Sequence, residues 1–185
     1  RQDEFYWHVL PTFVGSAKTT VVIVSDALRY EVARDVAALL ERERGGNVKV
    51  SSMQAVFPSI TEVGMPALLP HQALELAADG SFVLVDGMPT ATTPQREAVL
   101  AHLEPTARAL RSSVYLNMVG TERKALFKDS RLVYLFHNKI DATGEKAATQ
   151  DDVFDACADT VEELVAFARR VCTDAPGARV VITAD

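Results

Sequence analysis

The stretch TVVIVSDALRYEVARDVAALLERERGG, residues 20–46, decides the fold class. Val21 to Val24 is a β-branched run of strand length between polar residues, the pattern of a strand buried on both faces. Leu28, Val32, Val36, Leu39 and Leu40 then recur at helical spacing until Gly45-Gly46 ends the helix. A strand followed by a helix is the repeating unit of an α/β domain. Asp26 stands just past the strand's carboxyl end, where open parallel sheets present their ligand-binding loops.

The same alternation continues downstream. Val48 and Val50 read as a second strand, and Phe57-Pro58-Ser59-Ile60-Thr61-Glu62 as a loop feeding a short helix with Thr61 at or near its N-terminus. Residues 71–94 are less regular, with a strand signal at Phe82 to Val85 and turn residues Asp86-Gly87, and predict a small insertion or hairpin. A helix near 95–104, a strand near Ser113 to Leu116, a short helix around 121–127 and a strand at Leu132 to Phe136 follow. The longest helix is expected from about Asp151 to Cys172, with Val153, Cys157, Val161, Leu164, Ala168 and Val171 on one stripe and Asp151-Asp152 at its positive end. A strand from Arg179 to Ala184 delivers Asp185. The expected architecture is a three-layer α/β/α domain with a mostly parallel sheet over residues 20–185, preceded by an arm and linker at 1–19 that carries Phe5-Tyr6-Trp7.

With 185 residues, 48% of them hydrophobic, the chain can bury a substantial core. Its 19 Lys and Arg against 25 Asp and Glu give a net charge of −6, which disfavours a surface built mainly to grip nucleic-acid phosphates or anionic lipid. Cys157 and Cys172 have neither zinc-knuckle nor disulfide-framework spacing, so a reducing, cytoplasmic setting is expected. No apolar run approaches the roughly 18–20 residues of a membrane span, and no membrane partner is expected. The start at Arg1 and the stop at Asp185 suggest a piece of a longer protein, with further site residues beyond Asp185. Gly15-Ser16-Ala17-Lys18-Thr19 is similar to the end of a P-loop, but it lacks the first glycine and precedes a strand, so it reads as linker.

What stands at the strand ends points to chemistry. Asp26, Thr61, Asp141 and Asp185 are delivered by independent elements toward one sheet edge. Crowded carboxylates repel, and the physical resolution is a shared proton or a bound cation. A hydroxyl among them can serve as a nucleophile toward phosphorus. Taken singly, each residue also has a plainer reading. Asp26 and Thr61 could cap helices, Asp141 could build a turn with Gly144, His137 could be a structural histidine, and Arg29 could form a surface ion pair. As substrate contacts, Arg29 and His137 are the candidates that follow the first and the penultimate main strand.

Four segments in order, VIVSDALRYE (22–31), FPSITEVGM (57–65), IDATGE (140–145) and ITAD (182–185), together resemble the PglZ domain of the alkaline phosphatase superfamily. The resemblance covers residue 20 to the end and implies an alkaline-phosphatase-like core. It implies a metal-dependent phosphoric ester hydrolase holding two divalent ions, zinc first, with manganese or magnesium as alternatives. Residue by residue, it makes Thr61 the metal-bound nucleophile and Asp26, Asp141 and Asp185 metal ligands. Glu145 stands where the wider superfamily has a histidine, which makes it a departure from the pattern and an alternative ligand.

The resemblance also implies a BREX phage-defence context with other subunits, a methyltransferase among them, and a phosphate-ester substrate, whether monoester, nucleotide or nucleic-acid diester. Two rival readings stay open. One is a scaffold subunit with a degenerate metal site, motivated by Glu145. The other is a flavodoxin-like regulatory domain with Asp26 as phosphoacceptor or single Mg²⁺ ligand.

Overall fold

Strand β1, Thr20–Ser25, is buried along its whole length, and its side chains divide between two cores because successive residues of a strand point to opposite faces. Val22 and Val24 join one core and Val21 and Ile23 the other. Both faces of the sheet are therefore covered, which is why the run carries no polar alternation. In the computed structural model, residues 1–14, 17–42, 47–78, 80–144 and 150–185 are described.

Four parallel strands form the main sheet in the order β5-β6-β1-β7, with β5 at Arg108–Arg111, β6 at Leu132–His137 and β7 at Arg179–Thr183. The register pairs Ser25 with His137 and Val24 with Thr183. Asp26, Asn138 and Ala184-Asp185 thus leave the sheet at one carboxyl edge.

One face is covered by a leading helical segment that ends in α1 (Leu10–Val14), by α3 (Thr61–Ala67) and by α4 (Thr93–Leu103); Phe5, Leu10, Met65, Leu68, Val99 and Leu100 pack there on Tyr134 and Phe136. The opposite face carries α2 (Tyr30–Glu41), α5 (Ser112–Asn117), α6 (Gly120–Asp129) and α8 (Gln150–Asp174). Val36, Tyr115, Phe127, Leu164 and Val171 pack there on Val133 and Leu135. This is the three-layer α/β/α arrangement expected. A short α7, Lys139–Gly144, occupies part of the segment read as a loop after β6.

Residues 71–94 contain a separate antiparallel sheet of β2 (Leu74–Leu76), β3 (Val83–Val85) and β4 (Met88–Pro89). Asp86 and Gly87 form the turn between β3 and β4 with φ of 48° and 77°. Two successive left-handed residues are what a tight hairpin demands, and glycine meets that demand without a Cβ clash. The Asp86 carboxylate accepts from the amides of Gln72 and Ala73 at 3.0 and 2.8 Å, tying the turn back to the start of the insertion.

Two expected strands are corrected. Val48 and Val50 lie in an irregular segment, and Val50 is exposed. Alternation of two valines is not enough without a sheet edge to pair with, and further along the same irregular segment the Gln54 carbonyl accepts from the Gln2 backbone amide at 2.9 Å. The strand placed at Ser113 to Leu116 lies earlier, at Arg108–Arg111, and α5 takes its place. Tyr115 is wholly buried and donates its hydroxyl to Asp174 at 2.8 Å, while Val114 and Leu116 stay exposed, so tertiary packing overrides the β-propensity of Val114 and Tyr115.

The segment read as an arm, 1–19, is helical in turns from Gln2 to Val14 and contributes Phe5 and Leu10 to the core. Gly15-Ser16 of the linker, the Gly45-Gly46 helix stop, Glu145 and the side chains of Asp151-Asp152 lie outside the described residues. Thr19 sits at the amino edge of the sheet, its hydroxyl within 3.1 Å of the Phe127 and Ser130 carbonyls. Among the described residues, no helix is long and apolar enough to cross a membrane.

Candidate active site

The β1 to α2 connection positions Asp26. The chain leaves β1 with the Asp26 amide donating to the His137 carbonyl at 2.7 Å, then turns sharply at Ala27, whose φ of 59° is left-handed and unusual for a residue with a Cβ. The strained turn is held on its far side: the Ala27 amide donates to Asp185 Oδ1 at 3.1 Å. Helix α2 begins three residues later, from Arg29, without a side-chain cap. The buried Asp26 carboxylate is therefore not a helix cap.

Thr61 opens α3 and does not cap it either, since Ile60 is the N-cap and makes no side-chain bond. Its hydroxyl donates instead to Asp26 Oδ1 at 3.3 Å. The loop leading to Thr61 is clamped by Gln2, a fully buried amide whose Oε1 accepts from Val56 at 3.0 Å and whose Nε2 donates to the Gly64 carbonyl at 3.2 Å. Gly64 is tight against the next element: a Cβ there would lie 2.7 Å from the Asp185 carbonyl carbon.

Asp26, Thr61 and Asp185 are thus brought together from β1, α3 and the end of β7. Asp141, on α7, is close enough to act on Asp26 electrostatically. Burial first, then the Asp185 carboxylate and its hydrogen bond, then Asp141, push Asp26 up from its ordinary 3.8 to about 7, against a smaller lowering by the Thr61 hydroxyl. The site resists holding all its negative charge unaided.

Residues 5–185 match the family described as "BREX system PglZ alkaline phosphatase-like domain". The chain belongs to the PglZ family. It is 37% identical over 188 residues to the alkaline phosphatase-like protein BrxZ of Escherichia coli O9:H4 (strain HS), covering 100% of this chain and 22% of that protein. With the alkaline phosphatase-like protein PglZ of Bacillus cereus (strain H3081.97) it shares 31% identity over 184 residues, 100% of this chain and 21% of the relative. This PglZ domain therefore spans about a fifth of the length of these relatives. No solved structure matches the chain significantly.

The donor chemistry of the PglZ site suits a divalent cation in kind, zinc included, because carboxylates and a hydroxyl converge where their crowding already raises Asp26. In number the set is partial. Among the described residues, no three His, Cys, Asp or Glu side chains are grouped closely enough to enclose an ion.

The two residues read as substrate contacts are placed differently from the carboxylates. Arg29 is exposed at the start of α2. His137 is buried, with Nδ1 at 3.0 Å from the Ser25 hydroxyl and Nε2 at 3.2 Å from Glu163 on α8. Both ring nitrogens have partners within the chain, and the imidazole ties β6 to β1 and to α8.

Arg96 was not signalled by the sequence. It lies one turn into α4, stacks its guanidinium 4.8 Å above the Phe136 ring, and donates from Nε to the Thr90 carbonyl at 2.8 Å. Burial pushes its pKa down, opposed by the carboxylates of Asp26 and Asp185. With Thr61 it lines a cavity of about 310 Å³ between α3, α4 and the hairpin insertion. Only the helix start was legible: Thr92 and Gln95 form a capping box.

One pH dependence follows from Asp26. A carboxyl raised on folding stabilises the folded state fully below about pH 4 and loses that contribution as pH rises through about 7. With a chelator present, the thermal midpoint is expected to fall between about pH 5 and about pH 8. Asp26→Asn, uncharged throughout, should flatten that fall. An equal slope in both proteins would remove Asp26 as its source.

Proposed function

We propose that this PglZ domain carries the nucleophile-bearing part of a metal-dependent phosphoric ester hydrolase working in a BREX-type defence system, with Thr61 as nucleophile. One observation carries the reading. The Thr61 hydroxyl, at the start of a helix it does not cap, is directed to the buried Asp26 carboxylate, which Asp185 also approaches.

The reaction follows from these groups. Thr61 Oγ, oriented by Asp26, gives up its proton to water and attacks phosphorus, the bond from phosphorus to the ester oxygen breaks, and the departing alkoxide takes up a proton from water. Water then attacks the phosphothreonine, restoring the Thr61 hydroxyl and releasing phosphate or a phosphomonoester. Asp185 holds the Asp26 turn through the Ala27 amide, so that Asp26 and Thr61 keep their alignment. Asp26, Asp185, Asp141 and Thr61 would hold divalent metal, zinc being our first choice, which when bound lowers the pKa of the attacking oxygen and neutralises charge on the phosphoryl group. Glu145 is the further ligand this reading would add. A phosphate ester, monoester or diester, is the substrate class, and other BREX subunits, a methyltransferase among them, are the proposed partners.

The test is hydrolysis of p-nitrophenyl phosphate and bis-p-nitrophenyl phosphate by the full-length protein, with zinc or manganese and again after chelation. Turnover that falls at least about 100-fold on chelation and returns with metal is expected. No turnover of either ester by the metal-loaded protein would overturn the hydrolase in favour of a scaffold role.

A further inference from the structure

Arg96 is a cation in an unusual position. It is half-buried, and among the described residues no carboxylate lies within 4 Å of it. The Asp26 and Asp185 carboxylates act on it only from beyond ion-pair distance, which leaves the half-buried guanidinium able to take an anion as its direct partner. Its neighbours on α4 and β5 illustrate the ordinary alternative: Glu97 and Arg108 pair at 3.5 Å near the surface.

Nor is Arg96 loose. The bond to Thr90 is made by Nε, and the ring of Phe136 supports the guanidinium face. Thr90 is itself fixed, donating its hydroxyl to the Val83 carbonyl at 2.7 Å in the hairpin. Nε and the ring orient the side chain, so the terminal nitrogens are not what holds it in place. Those nitrogens form the fork that recognises two oxygens of a phosphate.

The cavity joins this cation to the nucleophile. Thr61 and Arg96 both line it, with Glu62 and Ser81 as further polar residues and Pro66, Phe82 and Ala91 adding apolar surface. We propose that Arg96 binds a non-bridging oxygen of the phosphoryl group that Thr61 attacks, and that the hairpin wall receives the ester's organic substituent. The proposal rests on the hydrolase reading and adds to it a substrate-binding residue that comes from α4 and is set by the hairpin. The insertion thereby becomes part of the substrate site.

The experiment uses the metal-loaded full-length protein and inorganic phosphate as probe, with its dissociation constant measured by calorimetry and its competitive inhibition of ester hydrolysis measured alongside. Arg96→Met keeps the aliphatic stem over Phe136 and removes the charge. Phosphate affinity is expected to fall by about 10- to 100-fold, with metal content unchanged and KM for the ester raised. Arg96→Lys, which keeps charge but lacks the fork, should fall between the two. If Arg96→Met unfolds, a folded Arg96→Lys decides: weakened phosphate binding supports the contact, and unchanged binding overturns it.

Phosphate affinity and KM within twofold of wild type in a folded Arg96→Met protein would overturn the proposal and leave the hydrolase standing. A wild-type protein that neither binds phosphate nor hydrolyses either ester would overturn both.

Discussion

Thr61→Ala in the full-length protein is expected to lower ester hydrolysis by about 10³-fold or more while the protein melts within a degree or two of wild type. The two halves of that result have separate causes. Removing a nucleophile deletes the group that forms the bond to phosphorus, and losses of this order or larger follow when such a group is removed. Folding barely notices, because the hydroxyl caps no helix and its one bond, to Asp26 at 3.3 Å, is long. Thr61→Ser keeps the hydroxyl and should retain turnover within about tenfold, its loss coming from the freer rotamer of an unbranched side chain. The comparison excludes a packing role of the γ-methyl, for which Ser and Ala would act alike, and the unchanged melting of Thr61→Ala excludes a structural role of the hydroxyl. If Thr61→Ala hydrolyses esters normally, the attacking oxygen comes from elsewhere.

The same residue shows how far sequence reasoning reaches. That Thr61 sits at a helix start was legible from the polar loop before an apolar run, but the capping and nucleophilic readings share one local pattern. Only the third dimension separates them: the hydroxyl turns away from the first turn of α3 and toward β1. Asp26 behaves likewise, since an aspartate after a buried strand is ordinary capping chemistry until α2 is seen to start from Arg29. Both-face burial of β1 could be read because an unbroken β-branched run has no solvent side to satisfy.

What stayed hidden depends on long-range pairing. Gln2 reaches residues 56 and 64, and nothing in its local chemistry announces that. Arg96 looks like any arginine on a helix, and its function as a candidate anion contact exists only because the hairpin brings Thr90 alongside and β6 supplies Phe136. The misplaced strand at 113–116 has the same origin. Val114 and Tyr115 have β-propensity, but the buried partner that decides the segment is Asp174, fifty-nine residues beyond Tyr115.

Gly64→Ala is the second substitution with a large expected effect, and it acts by displacement rather than by removing chemistry. Its Cβ would fall 2.7 Å from the carbonyl carbon of Asp185 and 3.2 Å from both Asp185 Cβ and Gln2 Nε2. The amide of Gln2 is the end of a side chain and can give way, whereas the Asp185 contact is backbone and cannot rotate out of reach. Asp185 must therefore retreat from α3, and the bond from the Ala27 amide that steadies the Asp26 turn goes with it.

A shift of about 1 Å in such a supporting group is expected to cost about 100-fold in turnover, and overpacking about 1–3 kcal/mol in stability. Circular dichroism melting separates the two, because a protein still folded at assay temperature but nearly inactive places the defect in the site. Asp185→Asn at the same time keeps the contact with Ala27 while removing charge, so it should lose metal without the stability cost of Gly64→Ala. Full activity in Gly64→Ala would mean that α3 and the end of β7 are free to separate, and that the close approach of Asp185 to the nucleophile helix is not what aligns Asp26 with Thr61.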